Sequence, residues 1–450
     1  MSVYLGRVLA RLSAYQVPVV VLHATLPTGR QQELAAAYAG KSAPQEDGAA
    51  VGEGAYLRLT AVAPGGTRVV RCPEPSGRGT DVCVGRLGDG VDVLADRLER
   101  ERHGVGCVLV IRNTVRGVLE TGSLVRGRFD SDAVTMAHSA FVDVERAEKD
   151  RDLLRRFGPP GKAEGRPDAL HIVVASQVAE QPLDVDFDLL VSDVCPIDLL
   201  LQRMGRLHHR QRGTGQEQRP ERLRTARCWL TGMDWDAAVP DPVRGGAVYG
   251  AYALLRSAAV LLPHLNDQRS PVRLPTDISP LVQDAYGQEP VGPRRGRRRW
   301  RRRRACSRHT EDQAEWASAF RLGEVGCLGR PLIGWGAAGV GEVDDTRAGR
   351  AQVRDSREGL EVVVVQQRAD GFLMTLPWLA KDGKGRQRGG IALPQDQAPS
   401  PFAGRVAASC GLRLPMQFFY AQTLEAAIAD LEQLYVPAWQ GKEARGCLTS

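Results

Sequence analysis

The sequence predicts an α/β fold, a mostly parallel sheet with helices on both faces, and three observations predict it. Short apolar runs that read as buried strands recur at CVLVIRN (107–113), within VTMAHSAF (134–141), at HIVVAS (171–176) and at DLLVSDV (188–194). Helical patterns separate them, at about 114–121 and over the charged stretch 143–157. That strict alternation of strand and helix is the pattern of a parallel sheet covered on both sides.

The remaining elements follow in chain order. Residues 1–16 place Leu5, Val8, Leu9 and Leu12 at helical spacing, so they predict an amphipathic helix. Arginines inside it and the lack of a small-residue cleavage site exclude a signal peptide. Pro18 to Leu22 (PVVVL) reads as a short apolar strand running into His23-Ala24-Thr25-Leu26-Pro27, with a helix following over about 29–39. Residues 43–56 form a polar, Gly-rich loop. Residues 57–95 read as short strands with turns at Gly65-Gly66 and Ser76-Gly77, then a helix at about 90–103. Beyond 230 the pattern weakens to mixed helix and loop over 236–290, and a linker opens at the arginine run 294–304. Residues 320–440 carry one clear strand, EVVVVQQ (361–367), and one clear helix, TLEAAIADLEQLY (423–435).

With 450 residues the chain is long enough for two or three cores. The net charge of +7 comes from one place: RRGRRRWRRRR (294–304) holds nine arginines, and removing them takes +7 to −2. That run reads as a DNA-phosphate clamp with Trp300 stacking on a base, as a charged linker, or as a coding-frame artefact. Nine scattered cysteines, none spaced C-x-x-C, point to reduced thiols in a cytoplasm, not to disulfides or a zinc site. No apolar run is of membrane-spanning length, which argues against a membrane partner. Two adjacent histidines, His208-His209, lack Cys or carboxylates at metal spacing, so no metal site is expected.

The chemistry concentrates in HIVVASQVAEQPLDVDFDLLVSDVCPIDLLLQRMGRLHHR (171–210). It reads as strand, polar loop, strand, and a helix carrying Gln202-Arg203-Met204-Gly205-Arg206. Arg203 and Arg206, three apart, share one helix face. At the edge of an α/β sheet such a pair can reach a triphosphate on a neighbouring domain, as arginine fingers do. Ser176-Gln177 lies at a strand's carboxyl end, where ligands of such sheets bind.

These residues resemble motifs V and VI of superfamily-two helicases. The wording Q-V-A-E-Q-P-L-D-V-D-F-D followed by D-L-L-L-Q-R-M-G-R-L-H resembles the CRISPR-associated helicase–nuclease of type I interference. The resemblance covers roughly 1–290 and 316–440. It implies a RecA-like helicase C-terminal domain over 104–230. Before it stand the tail of the first RecA-like motor domain (1–62) and connecting strands and a helix (63–103). After it come a helical and linker region (231–315) and a partial α+β accessory domain (316–450), where DDTRAGRAQVRDS (344–356) resembles the family's C-terminal region.

The resemblance assigns roles. Arg203 and Arg206 are the catalytic arginine fingers; Gln202 contacts the nucleotide; Asp184 ties either the arginine helix or the nucleotide ribose to the loop; Thr25, Arg112, Asn113, Thr114, Ser176 and Gln177 contact the DNA backbone. For Arg112-Asn113-Thr114 a second reading stands beside the first: Asn113 or Thr114 caps the next helix. The chain departs from the family at His23 (Ser in the family), Ser176 (Thr), Pro182 (Ser) and in the order His208-His209-Arg210. Gly40-Lys41-Ser42 is no phosphate loop, because Ala35 stands at the first glycine position and the residues before it are helical.

Three family parts are missing from the sequence: a Walker A loop, any Asp-Glu dipeptide for a D-E-x-H box, and any His-Asp dipeptide for the metal-dependent nuclease. The expectation is therefore a C-terminal part of an ATP-dependent single-stranded-DNA translocase that engages ATP and Mg2+ only with a first motor half. Its expected partners are single-stranded DNA, a type I CRISPR surveillance complex, and a separate chain carrying the nuclease and first motor domain. The alternative is a non-catalytic nucleic-acid-binding remnant of a truncated helicase gene.

Overall fold

A computed structural model describes residues 2–23, 25–40, 45–46, 58–63, 67–74, 77, 79–101, 106–162, 164–180, 183–237, 240–265, 270–287, 289–292, 360–415, 418 and 421–440. The arginine run, the 344–356 stretch, Lys41-Ser42, Gly65-Gly66 and Pro182 lie outside the described residues. The chain divides into two units. One comprises Met1–Met136, Pro159–Lys162 and Arg166–Asp355; the other comprises Ala137–Gly158, Ala163–Gly165 and Ser356–Ser450.

In the first unit, α1 (Ser2–Ala14) packs on α2 (Thr28–Ala39). The strands β1 (Gln45–Glu46), β2 (Leu59–Val62) and β3 (Thr67–Arg71) form a small sheet in the order β1-β3-β2. Pro18–Leu22 is not a strand: it pairs with no described strand, and Val20 is 82% and Leu22 89% exposed. An apolar run becomes a strand only when a neighbour takes up its backbone N–H and C=O groups, and no described strand lies beside this one.

The main sheet draws on β4 (Thr80–Arg86), β5 (Cys107–Ile111), β6 (Val134–Ala137), β7 (His171–Ala175), β8 (Leu189–Asp193), β9 (Ala226–Thr231) and β12 (Val272–Leu274). Between them run α3 (Val91–Glu101), α4 (Val115–Arg128), α6 (Ile197–Met204), α7 (Gly246–Tyr249) and α8 (Ala251–Leu261), with α9 (Ile278–Tyr286) last. A two-stranded ribbon, β10 (Met233–Asp234) and β11 (Asp241–Pro242), follows β9. The strand order is β12-β4-β9-β8-β5-β7-β6. Pairing is parallel from β4 through β9, β8 and β5 to β7, and β12 closes one edge antiparallel to β4. One strand of this sheet thus comes from the expected connecting segment (63–103) and another from the expected helical region (231–315).

The pleat sends alternate residues to opposite faces. Val108, Val110, Ile172, Val174, Leu189 and Val191 pack with Leu94 and Leu98 of α3 and with Val118 and Val125 of α4. Their neighbours Leu109, Ile111, Val173 and Leu190 are equally buried on the other face. There α6, α8 and α9 pack together, and α6 meets β8. Gly85 is required in β4: it pairs with Trp229, and a Cβ there would fall 2.2 Å from the indole. Arg97 stacks on that ring, its guanidinium 4.0 Å from the centroid.

The second unit takes α5 (Asp143–Phe157), which the sequence pattern had placed among the sheet's own helices. Its other elements are β13 (Glu361–Val363), β14 (Gln366–Gln367), β15 (Leu373–Met374), β16 (Ala392–Leu393), α10 (Pro401–Ala408), β17 (Gly411–Arg413) and α11 (Ala421–Gln433). The single strand expected over 361–367 is two: β13 pairs with β17 and β14 with β15. Val364 and Val365, between them, point into two separate apolar clusters, and this divides the run.

Candidate functional site

The parallel pairing of β7, β5 and β8 brings three carboxyl ends side by side, with β5 in the middle. Asn113, two residues past β5, joins them. Its amide donates to Asp193 Oδ2 at 2.8 Å, its Nδ2 donates to the Val194 carbonyl at 2.8 Å, and its carbonyl accepts from Gln177 Nε2 at 2.6 Å. Arg112 Nη1 donates to Asp193 Oδ1 at 2.8 Å. Burial pushes the Asp193 carboxyl up, and Arg112 beside it pulls it back. Gly245, at φ +80°, lies so close that a Cβ would stand 2.5 Å from Asn113 Nδ2.

Arg112 and Asn113, expected on the DNA backbone, are engaged inside the domain by these contacts. Each is 1% exposed, and the buried carboxylate of Asp193 holds them inward. Thr114 is the N-cap of α4, its hydroxyl accepting from the Gly117 amide at 3.0 Å. Thr25 and Ser176 are also buried, and neither hydroxyl has a hydrogen-bond partner among the described residues. Ser176 ends β7 next to the Asn113 network. Thr25 lies in the turn before α2 and is joined to that network by no described hydrogen bond.

Arg203, expected as a finger, also lies inside the domain. It is fully buried, and every guanidinium N–H is engaged inside the domain. Nε and Nη2 hold Glu180, Nε at 2.8 Å. Nη1 donates to Ser192 Oγ at 2.8 Å and to the Asp193 carbonyl at 3.0 Å, and Nη2 also reaches Asn113 Oδ1 at 3.1 Å. An arginine with five satisfied donors has none left for a phosphate. α6 ends at Met204, and Arg206 sits in the turn beyond. Arg206 is half-buried, with Nη1 donating to the Leu183 carbonyl at 2.5 Å. Gln202 is half-buried on α6.

Beneath that turn lies an ionic cage that the sequence reading missed. Asp184, Asp186 and Asp188 alternate with the buried Val185 and Phe187. Arg219 Nη2 donates to both oxygens of Asp186, at 2.7 and 3.0 Å, and its Nη1 to Asp188. Arg212 Nε also donates to Asp186. Arg166 Nη2 donates to both oxygens of Asp188 at 2.9 Å, and the Cys107 amide adds a bond to Asp188 at 2.8 Å. Nearer the surface, Asp184 pairs with Arg210 at 2.5 Å and with His209 Nε2 at 3.3 Å. Burial pushes the Asp186 carboxyl up, but Arg219 and Arg212 together hold it below the usual carboxylate value. The signal was present in the sequence: aspartates interleaved with apolar residues in a buried run demand cationic partners.

His208 lies within this cage, 6% exposed, with its pKa lowered from 6.5 to about 4 by burial and then by the charge of Arg219. It is therefore neutral when folded, while the unfolded chain takes up the proton near pH 6.5. Stability should fall as pH drops from about 6.5 to about 4, by at most about 3 kcal/mol from this group. His138 and His209 are shifted the same way by burial and add to the slope. His208→Asn, which suits the residue's φ of +49°, isolates the share of His208. Urea denaturation across pH 4–7 should show a flatter profile for the variant, and an unchanged profile would exclude His208 as the cause.

Among the described residues no cluster of His, Cys, Asp and Glu could hold a metal ion, and no helix is long and apolar enough to cross a membrane.

Two family models match the chain: CRISPR-associated nuclease/helicase Cas3, C-terminal, over residues 104–212, and Cas3 C-terminal domain over 354–446. The CRISPR-associated nuclease/helicase Cas3 of Streptococcus thermophilus is 29% identical over 461 residues, covering 98% of this chain and 46% of that protein. A crystal structure described as a CRISPR-associated protein superimposes with a TM-score of 0.75 at 26% identity, covering 96% of this chain and 45% of its own. A chain in a CRISPR RNA-guided surveillance complex, pre-nicking, superimposes with a TM-score of 0.56 at 26% identity, covering 70% of this chain and 38% of its own. The seven-stranded sheet with its flanking helices is an α/β RecA-like helicase fold. The chain spans less than half the length of the curated relatives it matches.

Proposed function

The chain belongs to the family of the CRISPR-associated nuclease/helicase Cas3, whose C-terminal part it matches, and on that basis we propose that it supplies the second motor half of a single-stranded-DNA translocase of CRISPR defence. Arg206 is its catalytic cation. It meets the triphosphate of an ATP·Mg2+ held by a first motor half, with Gln202 beside it on α6. Arg203, Arg112 and Asn113 act behind it, fixing the strand ends and α6 to one another. The loop that starts at Ser176-Gln177 runs along the DNA backbone, and phosphate contacts of this kind carry no sequence preference. A CRISPR RNA-guided surveillance complex is the partner that delivers the strand, and the pre-nicking neighbour supports that reading. The cytoplasm is the compartment that keeps its dispersed cysteines reduced.

The observation that carries this reading is the division between the two motif arginines: Arg203 is sealed inside, and Arg206 stands half-exposed beyond the end of α6. The test is ATP turnover with an oligo-dT strand, measured for the purified chain alone and after adding a first motor half. We expect none from the chain alone and turnover on mixing. Turnover by the chain alone refutes the two-half reading; DNA binding without turnover in either case favours a non-catalytic binding module.

A further inference from the structure

Residues 378–388 of the second unit form a basic turn with a tryptophan at its base. Asp382 shapes the turn. Its Oδ1 accepts from the amides of Lys384 at 2.9 Å and Arg386 at 2.8 Å, its Oδ2 accepts from Arg386 Nε at 2.7 Å, and Gly385 takes φ +78°. The Asp382 amide donates to the Arg386 carbonyl at 3.0 Å and closes the turn. Both ends are tied to α5. Trp378 Nε1 donates to Glu145 Oε1 at 2.7 Å, and Arg388 pairs with Glu148, one turn further along the helix. Arg388 Nε also donates to the Ala380 carbonyl at 2.6 Å. Arg386 lies over the Phe402 ring, 4.3 Å from its centroid.

Two kinds of group are left facing water. Trp378 is 63% exposed although its N–H is fixed, so the bond to Glu145 sets the ring's orientation and leaves apolar area open. Lys381 and Lys384 are exposed, and neither ammonium meets a carboxylate among the described residues. The other charges of the turn are matched, Arg386 by Asp382 and Arg388 by Glu148. A single exposed indole or a surface lysine is ordinary by itself. A locked indole at the base of a rigid turn with two unmatched ammoniums suits a single-stranded nucleic acid, whose bases offer rings and whose phosphates offer charge. An acidic peptide supplies the charge without the ring, and a duplex keeps its bases stacked on one another.

We propose that this turn is a second contact for single-stranded nucleic acid, distinct from the loop at Ser176-Gln177. A base stacks on Trp378, and Lys381 and Lys384 hold neighbouring phosphates. The contact reads no sequence, since every base has a ring face. It needs neither a nucleotide nor a first motor half, so it stands or falls apart from the role of Arg206.

The experiment follows the fluorescence anisotropy of labelled oligo-dT with the whole chain, without ATP, over a series of salt concentrations. Trp378→Ala should weaken binding about fivefold or more, and Trp378→Phe, which restores a ring, should recover most of the loss. The double variant Lys381→Gln/Lys384→Gln should weaken binding and reduce the slope of log affinity against log salt by about 1.4, two phosphates at about 0.7 each. Urea midpoints of the variants should match the wild type, because the three side chains are exposed. Unchanged affinity and slope in these variants, or no oligo-dT binding by the wild-type chain, overturns the proposal. Either effect without the other also overturns it: the lysines alone mark a surface for an acidic protein, and the tryptophan alone marks an apolar docking surface.

Discussion

Replacing Arg203 by alanine is expected to cost about 3–5 kcal/mol of folding stability, because truncating one member of a buried ion pair leaves the other charge uncompensated. Glu180 loses its cation, and Asn113 Oδ1, Ser192 Oγ and the Asp193 carbonyl lose the donor that bridges them. Against a total of about 5–15 kcal/mol for a folded domain, that is a large fraction. Arg203→Lys should recover little, since a single ammonium cannot span Glu180 and the end of β8 as a planar fork does. The measurement is the urea midpoint of the chain by itself, which needs no partner and no nucleotide. A wild-type midpoint for Arg203→Ala, with turnover of the two-half enzyme abolished, would restore Arg203 as a finger.

Arg206→Ala is expected to do the opposite. Loss of an arginine finger lowers turnover by about 10³-fold or more, because the charge developing on the transferring phosphoryl group loses its fixed counter-charge. Stability should move by only about 1 kcal/mol, the loss of one partly buried hydrogen bond, well below the cost at Arg203. In the two-half enzyme with oligo-dT, the rate should collapse while the urea midpoint of the chain shifts far less than for Arg203→Ala. A shifted midpoint with an unaltered rate would exchange the roles of the two arginines.

The sheet was legible where its strands are largely apolar and buried at every position, as at Cys107–Ile111, His171–Ala175 and Leu189–Asp193. It was not legible that Thr80–Arg86, within the short strands expected over 57–95, and Val272–Leu274 join the same sheet from distant parts of the chain. Strand pairing is a non-local choice, and a local apolar pattern does not name the partner. The same gap explains Pro18–Leu22, apolar yet unpaired, and Glu361–Gln367, one run divided between two sheets.

At the site, the types and spacing of residues identified the Q-R-M-G-R segment and the D-V-D-F-D run before it. Those letters determine that a chemistry of fixed positive charge is present and roughly where it sits in the fold. That Arg203 is sealed inside and Arg206 only half-buried was decided by tertiary structure. It depends on α6 ending at Met204, on Glu180 lying under Arg203, and on Arg166, Arg212 and Arg219 converging on two buried aspartates. The physical reason is desolvation: a buried carboxylate must collect donors from wherever the chain brings them, and the arginine it claims is no longer available to a ligand.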